Sequence, residues 1–208
     1  MTRYGSPTAF RSLALALVLM LTAPLAGCGI NNIPTYEQQA KAAWSQVQSE
    51  YKRRSDLIPN LVETVKGFAE QERSVLTDVV NARAKATQVQ IPADIITNPA
   101  AMQKFQEAQG QLSGALSRLL AVVERYPDIK SGQNFLALQS QIEGTENRIA
   151  VARRDYIEAV RVYNTELNTI PGRWWKALMY PGSHEMATFD IPAEEAKTPK
   201  VDFGTKKN

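Results

Sequence analysis

The sequence predicts an all-α protein: an antiparallel bundle of three long amphipathic helices, followed by a short C-terminal helix. Three observations lead there. Ala, Gln, Glu, Arg and Leu dominate the middle of the chain, while aromatic residues make up 8% and β-branched runs are scarce. Apolar side chains recur at spacings of three and four along three separate stretches. The stretches are parted by proline-containing turns, at Ile91-Pro92 to Asn98-Pro99 and at Tyr126-Pro127-Asp128.

The N-terminus comes before any of these helices and reads as a targeting segment. Arg3 and Arg11 supply a basic start, Leu13 to Leu21 a short apolar run, and Leu25-Ala26-Gly27 lead to Cys28, the single cysteine. This order resembles a bacterial lipobox, in which the cysteine thiol takes a diacylglycerol and the chain is cut just before it. On that reading residues 1–27 are a lipoprotein signal peptide and Cys28 is the lipid attachment site. The rival reading keeps the apolar run as an uncleaved N-terminal anchor, although it is shorter than the ~20 apolar residues of a spanning helix. The lipid anchor would hold the protein at the cell membrane or outer membrane, and with either anchor the body stays tethered on the extracytoplasmic side; a plain secreted protein is the third option. A lone cysteine has no internal disulfide partner in an oxidising compartment, so lipidation accounts for it better than a redox role.

Residues 28–34 form a polar tether, residues 35–180 the helical bundle and residues 181–208 an irregular tail. In the first helical stretch, Thr35 to about Val89, the stripe is Trp44, Val47, Tyr51, Ile58, Leu61, Val65, Phe68, Val75 or Leu76, and Val79. Pro59 interrupts it, which predicts a kink or short break near Leu57 to Asn60. Unbroken, this rod would be roughly 80 Å long at ~1.5 Å per residue, longer than its partners, so its membrane-proximal part is expected to project as a stalk. The second helix starts with Asn98 as cap and Pro99 in the first turn, and carries Met102, Phe105, Leu112, Leu116, Leu119 and Val123. The third steps through Phe135, Leu138, Ile142, Thr145, Ile149, Ala152, Tyr156, Ala159, Tyr163, Leu167 and Ile170, a near-regular heptad seam that ends at Pro171-Gly172. Arg173 to Tyr180 is a short apolar cluster containing Trp174 and Trp175, and the residues after Lys197 are mostly polar.

The charge balance excludes some partners. The chain holds 24 Lys and Arg against 21 Asp and Glu, and two of the basic residues, Arg3 and Arg11, lie in the targeting segment. The remainder is nearly neutral with its charges interspersed, unlike the clustered basic face of a nucleic-acid binder. Catalytic patterns are missing as well. The one histidine, His184, falls in the C-terminal loop, and the sequence has no HExxH, no CxxC pair, no glycine-rich phosphate loop and no GxSxG. No metal, cofactor or enzymatic activity is expected. Glu143 and Glu146, one helical turn apart, lie near Arg148, Arg153 and Arg154 and read as an ion network.

Three features invite a structural or binding role. Asp56 is expected to pair across two helices with one of Arg148, Arg153 or Arg154, a polar contact that would fix helix register. Gly67, Gly110, Gly114 and Gly144 fall inside predicted helices; the Gly110/Gly114 pair reads as tight packing within the bundle or as a face for homo-oligomers. Trp174 and Trp175, flanked by Arg173 and Lys176, suit either a lid over the end of the bundle or a surface that docks on a membrane or an envelope protein.

Two blocks resemble the signature of the LemA family: Arg53-Arg54-Ser55-Asp56-Leu57-Ile58-Pro59-Asn60-Leu61-Val62-Glu63-Thr64-Val65-Lys66-Gly67, and Gln141 to Tyr156 with Tyr163-Asn164 after it. Pro171, Thr188-Phe189 and Val201-Asp202-Phe203 also fit, so the resemblance spans about Tyr36 to Phe203. It implies a mainly α-helical antiparallel bundle on an N-terminal membrane anchor, with no established reaction and no catalytic residues. Cys28 and the Trp174-Trp175 pair depart from the common pattern of that family.

The expected function is therefore a membrane-tethered, non-enzymatic helical scaffold or binding protein of the cell envelope. Its expected partners are the membrane and an unidentified envelope protein. The alternative is a structural protein that self-assembles through its long helices.

Overall fold

The computed structural model describes residues 29–68, 70–88 and 94–189, with main chain only at Phe68. Among these the protein is all-helical, without a strand: α1 (Asn32–Thr64), α2 (Arg73–Gln88), α3 (Pro99–Val123), α4 (Pro127–Lys130), α5 (Gln133–Asn168) and α6 (Gly172–Leu178), with 3-10 turns at Lys66–Phe68 and Ile95–Thr97. Cys28 and Val201 to Phe203 lie outside the described residues.

The all-α class is as expected, but the first rod is not one helix. It divides into α1 and α2 at Val65 to Glu72, and the helix runs unbroken through Pro59. Two physical causes account for this. A glycine, Gly67, sits where the helix gives way, and glycine costs about 1 kcal/mol relative to alanine inside a helix. Pro59 cannot donate to the Ser55 carbonyl four residues back, but Nε of Arg83 on α2 donates to that oxygen instead at 2.9 Å. The chain can therefore pass the proline and turn back later as a helical hairpin. The tip of the hairpin is held by Glu72, which accepts from Arg125 Nη2 at 2.6 Å and from the Tyr126 hydroxyl at 3.1 Å. At 33 residues α1 is shorter than the 36-residue α5, so the expected overlong first rod, and with it the argument for a stalk, does not hold.

The described residues form two compact units. One comprises residues 44–157 and 187–189, the other residues 29–43 and 158–186. In the first, α2 runs antiparallel to α3 (Asp78 faces Arg118, and Ala86 bonds Gln109) and α1 runs antiparallel to α5 (Glu50 faces Arg148, and Arg54 faces Glu146). Stripe residues from all four helices meet in one core, including Ile58, Leu61, Leu76, Val79, Leu112, Leu116, Leu119, Phe135 and Ile142. Burying each such side chain contributes about 1.5–3 kcal/mol. As expected, Asn98 caps α3 by accepting from the Ala101 amide at 3.1 Å, with Pro99 in the first turn.

In the second unit the start of α1 buries Ile33 and Ala40, and the end of α5 buries Val160, Tyr163 and Leu167. Asn32 Nδ2 donates to Glu166 Oε1 at 3.2 Å. Asn164 clamps the returning chain: its Nδ2 donates to the Met186 carbonyl and its Oδ1 accepts from the Met186 amide, both at 2.9 Å. Gly172 admits the chain into α6 where nothing larger fits, since a Cβ there would lie 2.1 Å from the Glu166 carbonyl oxygen.

Candidate functional site

The α1 and α3 stripes each have one empty place. Between Tyr51 and Ile58, and again between Phe105 and Leu112, the step is seven residues, and the skipped seam positions hold Arg54 and Gln109. In the structure these two meet. Arg54, 1% exposed, is the largest fully buried side chain among the described residues. Its Nη2 donates to Gln109 Oε1 at 2.6 Å and to the Gln109 carbonyl at 3.3 Å, and its Nη1 donates to Ser113 Oγ at 2.6 Å and Glu146 Oε1 at 2.7 Å. The Tyr51 ring lies below the guanidinium, 5.1 Å from centroid to Cζ. A buried cation is costly unless its charge and donors are answered; four acceptors on α3 and α5 answer the two terminal nitrogens, while Nε is buried without a hydrogen-bond partner.

The layer continues sideways. Gln109 Nε2 donates to the Ala86 carbonyl of α2 at 3.4 Å, which brings in the fourth helix. On α5, Arg148 Nη2 donates to Thr145 Oγ1 at 2.9 Å and its Nε to Glu50 Oε2 of α1 at 3.1 Å. Thr145, in the α5 seam, is buried, and its hydroxyl returns a bond to the Gln141 carbonyl at 2.7 Å. One polar stratum thus crosses all four helices.

The structure changes the pairing expected for this region. Asp56 is exposed and binds Lys52, one turn back, at 2.9 Å, rather than Arg148, Arg153 or Arg154. The reason is helical phase: Asp56 is two residues from the seam position that Arg54 occupies, so it faces outward. Arg148 takes Glu50, Arg153 lies over the Phe189 ring at 4.5 Å, and Arg154 faces Asp155 at 3.9 Å. Glu146 reaches α1, whereas Glu143 accepts from Gln139, one turn back on α5, at 2.9 Å.

Next to the stratum lies an aromatic cluster. Trp44 contacts Phe105 (centroids 5.5 Å apart), Tyr156 (5.3 Å) and Phe189 (6.1 Å), and Tyr51 stands edge-on to Phe105 at 5.2 Å. It fixes the returning chain, because the Tyr156 hydroxyl donates to the Ala187 carbonyl at 2.8 Å and the Ala187 amide donates to the Ile96 carbonyl at 2.7 Å. Burial raises the Tyr51 phenol above its ordinary range, opposed by Arg153 and Arg54, and burial also raises Tyr156.

The tryptophan pair is divided. Trp174 is 57% exposed, whereas Trp175 is half-buried with its Nε1 covered. Ile170, placed in the α5 seam by its spacing, is 65% exposed, because the helix ends at Asn168 before reaching it. Tight packing within the bundle is not what places Gly110 and Gly114. A Cβ on Gly110 would meet nothing within 4 Å, and one on Gly114 only the tip of Arg118. Among the described residues no three His, Cys, Asp or Glu side chains group as a metal site, and no helix is long and apolar enough to cross a membrane.

The fold and this stratum define a class: a helical protein in which a buried arginine and a buried glutamate on one helix pair with charges on another. The chain belongs to the LemA family, whose model matches residues 43–203. Among curated proteins it is similar to magnetosome protein MamQ 2 of Paramagnetospirillum magneticum, 25% identical over 187 residues that cover 82% of this chain and 68% of the relative. It is also similar to magnetosome protein MamQ of Magnetospirillum gryphiswaldense, 24% identical over 86% of this chain and 72% of the relative. Protein LemA of Metamycoplasma hominis is 22% identical over 67% of this chain and 59% of the relative.

Proposed function

We propose that this protein is a non-enzymatic helical scaffold or binding protein, held at a bacterial membrane by its N-terminal segment with its body on the extracytoplasmic side. The observation that carries this reading is the pairing of two buried charges, Arg54 and Glu50, with partners on a neighbouring helix. Arg54, Glu50, Glu146 and Arg148 are paired helix to helix, which sets register and rigidity. The Leu25-Ala26-Gly27-Cys28 sequence just ahead of the described helices supports a lipid tether. LemA family membership and the kinship with proteins named for the magnetosome support membrane association. Crosslinking in intact membranes, followed by purification of the full-length protein, tests the binding role. One specific envelope protein recovered with wild type and not with an unrelated tethered control is the expected result; no specific product contradicts it.

A second reading, self-assembly, is favoured by the open groove between α2 and α3. Gly110 and Gly114 line it with Asp78, Lys85 and Arg118, and the empty space above Gly110 leaves room for a second helix to approach closely. Sedimentation of the solubilised full-length protein separates the two readings, because a monomer at every concentration removes this one.

A further inference from the structure

We propose that the exposed face of α6 is a membrane-interface contact that lays the unit formed by residues 29–43 and 158–186 on an anionic lipid surface, beside its own anchor. The proposal rests on the membrane-tethered reading above and adds the surface by which the body meets the bilayer.

Three observations converge on it. First, exposed apolar bulk is concentrated here. Ile170 (65% exposed), Trp174 (57%), Leu178 (74%) and Met179 (55%) fall within ten residues, whereas the other large exposed apolar side chains among the described residues, Val80, Leu136, Val151 and Ile157, are scattered along α2 and α5. Trp174 and Leu178 are four apart and share one face of α6, while Trp175 turns the other way and is half-buried. Single exposed apolar residues are ordinary, but a group of this kind marks a surface with a partner.

Second, the chain enters the described structure at this same place. A Cβ on Gly29 would lie 3.6 Å from Pro171 Cγ, and Asn32 is bonded to Glu166. Gly29 directly follows Cys28 and the apolar run of Leu13 to Leu21. Whether the anchor is acyl chains on Cys28 or the apolar run itself, it joins the body beside the Ile170-Pro171-Gly172 turn. Either attachment therefore leads into this unit beside the start of α6.

Third, the charge suits lipid. From Ile170 to Gly182 the only ionisable side chains besides Tyr180 are Arg173 and Lys176, both basic, with no carboxylate among them. A tryptophan with flanking basic residues and apolar neighbours is the composition that settles at the headgroup level, where the ring is half-solvated and the cations meet anionic phosphates. A lipid surface accounts for all three observations together, whereas a protein groove would account only for the exposed apolar face.

The test is bromine quenching of tryptophan fluorescence, with the full-length protein reconstituted into vesicles of phosphatidylethanolamine and phosphatidylglycerol whose acyl chains carry bromine. Trp174 is one of three tryptophans, so contact should lower the emission by about a third. The Trp174→Phe variant should lose that drop. Leu178→Lys with Met179→Lys should also lose it while still floating with the vesicles through the N-terminal anchor. Unquenched emission from wild-type protein that floats with the vesicles overturns the docking face and leaves the tether standing. A double-lysine variant that no longer floats while wild type is quenched removes the tether and upholds the docking face. Wild type that neither floats nor is quenched overturns both.

Discussion

Arg83 supplies the hydrogen bond that Pro59 takes away. Its Nε donates at 2.9 Å to the Ser55 carbonyl, the acceptor that a residue with an amide at position 59 would have satisfied within α1. A sequence-level weak point thereby becomes a link between α1 and α2. Arg83→Ala should cost about 1–3 kcal/mol, because it strands a buried acceptor. In a Pro59→Ala background, where the helix can bond that oxygen itself, the cost should shrink by more than half. A double-mutant cycle in urea checks this, and equal costs in the two backgrounds would break the link between the two residues.

The polar stratum makes a second contrast. Arg54→Ala should destabilise the protein by about 2–5 kcal/mol, because it truncates a fully buried side chain and leaves the buried Gln109 side-chain acceptor without its donor. Asp56→Ala, two residues on, removes only an exposed one-turn pair with Lys52 and should change stability by less than about 0.5 kcal/mol. Thermal melts of the two variants separate a register-setting cation from a surface carboxylate; similar shifts for both would mean that the stratum has been misplaced.

Two glycines should respond in opposite senses. Gly172→Ala drives a methyl group to 2.1 Å from the Glu166 carbonyl oxygen, so the turn into α6 must move, at about 1–3 kcal/mol. Gly110→Ala meets open space in a helix interior and should stabilise by up to about 1 kcal/mol. Melting temperatures falling in the first and rising in the second are the expected result.

Alkaline pH should act through the buried phenols. Tyr51, Tyr156 and Tyr163 are all raised, mainly by burial, above the ordinary tyrosine value of about 10. A raised pKa in the folded state means that the unfolded chain loses its protons first. The stabilisation is complete below pH ~10 and is lost as pH rises through the folded values. Melting temperature followed from pH 8 upward should therefore stay level with respect to these groups and then decline beyond about pH 10. Phenolate absorbance from the three buried rings should appear together with unfolding rather than ahead of it.

Much of the fold was legible in the sequence because each helix announces its buried face by spacing. The α5 seam from Phe135 to Leu167 follows from that alone, and the α3 cap follows from Asn98 standing just before Pro99. The α1–α2 hairpin did not, because the stripe stays in phase from Val65 toward Val79, and periodicity cannot tell a rod from a rod folded back on itself. The decisive partner of Ser55, Arg83, lies 28 residues away and carries no local signal. Arg54 was half-visible. Its place in the 3-4 rhythm of α1, matched by Gln109 in α3, marks a polar residue in a seam, a stronger cue than the nearby acidic Asp56. Trp174 and Trp175 show the limit at single-residue scale, because adjacent identical side chains on a helix point about 100° apart and can be assigned only with the packing in hand.

The central claim is that this helical body is held at a membrane through its N-terminal segment, with Cys28 as the attachment point. Mass spectrometry of the N-terminus of protein purified from membranes, alongside fractionation of Cys28→Ser, tests it most directly. The account predicts a chain that begins at Cys28 and carries acyl groups, and a Cys28→Ser variant that is neither processed nor acylated. An unmodified Cys28 in a membrane-bound chain, with Cys28→Ser processed and retained like the parent, would contradict it.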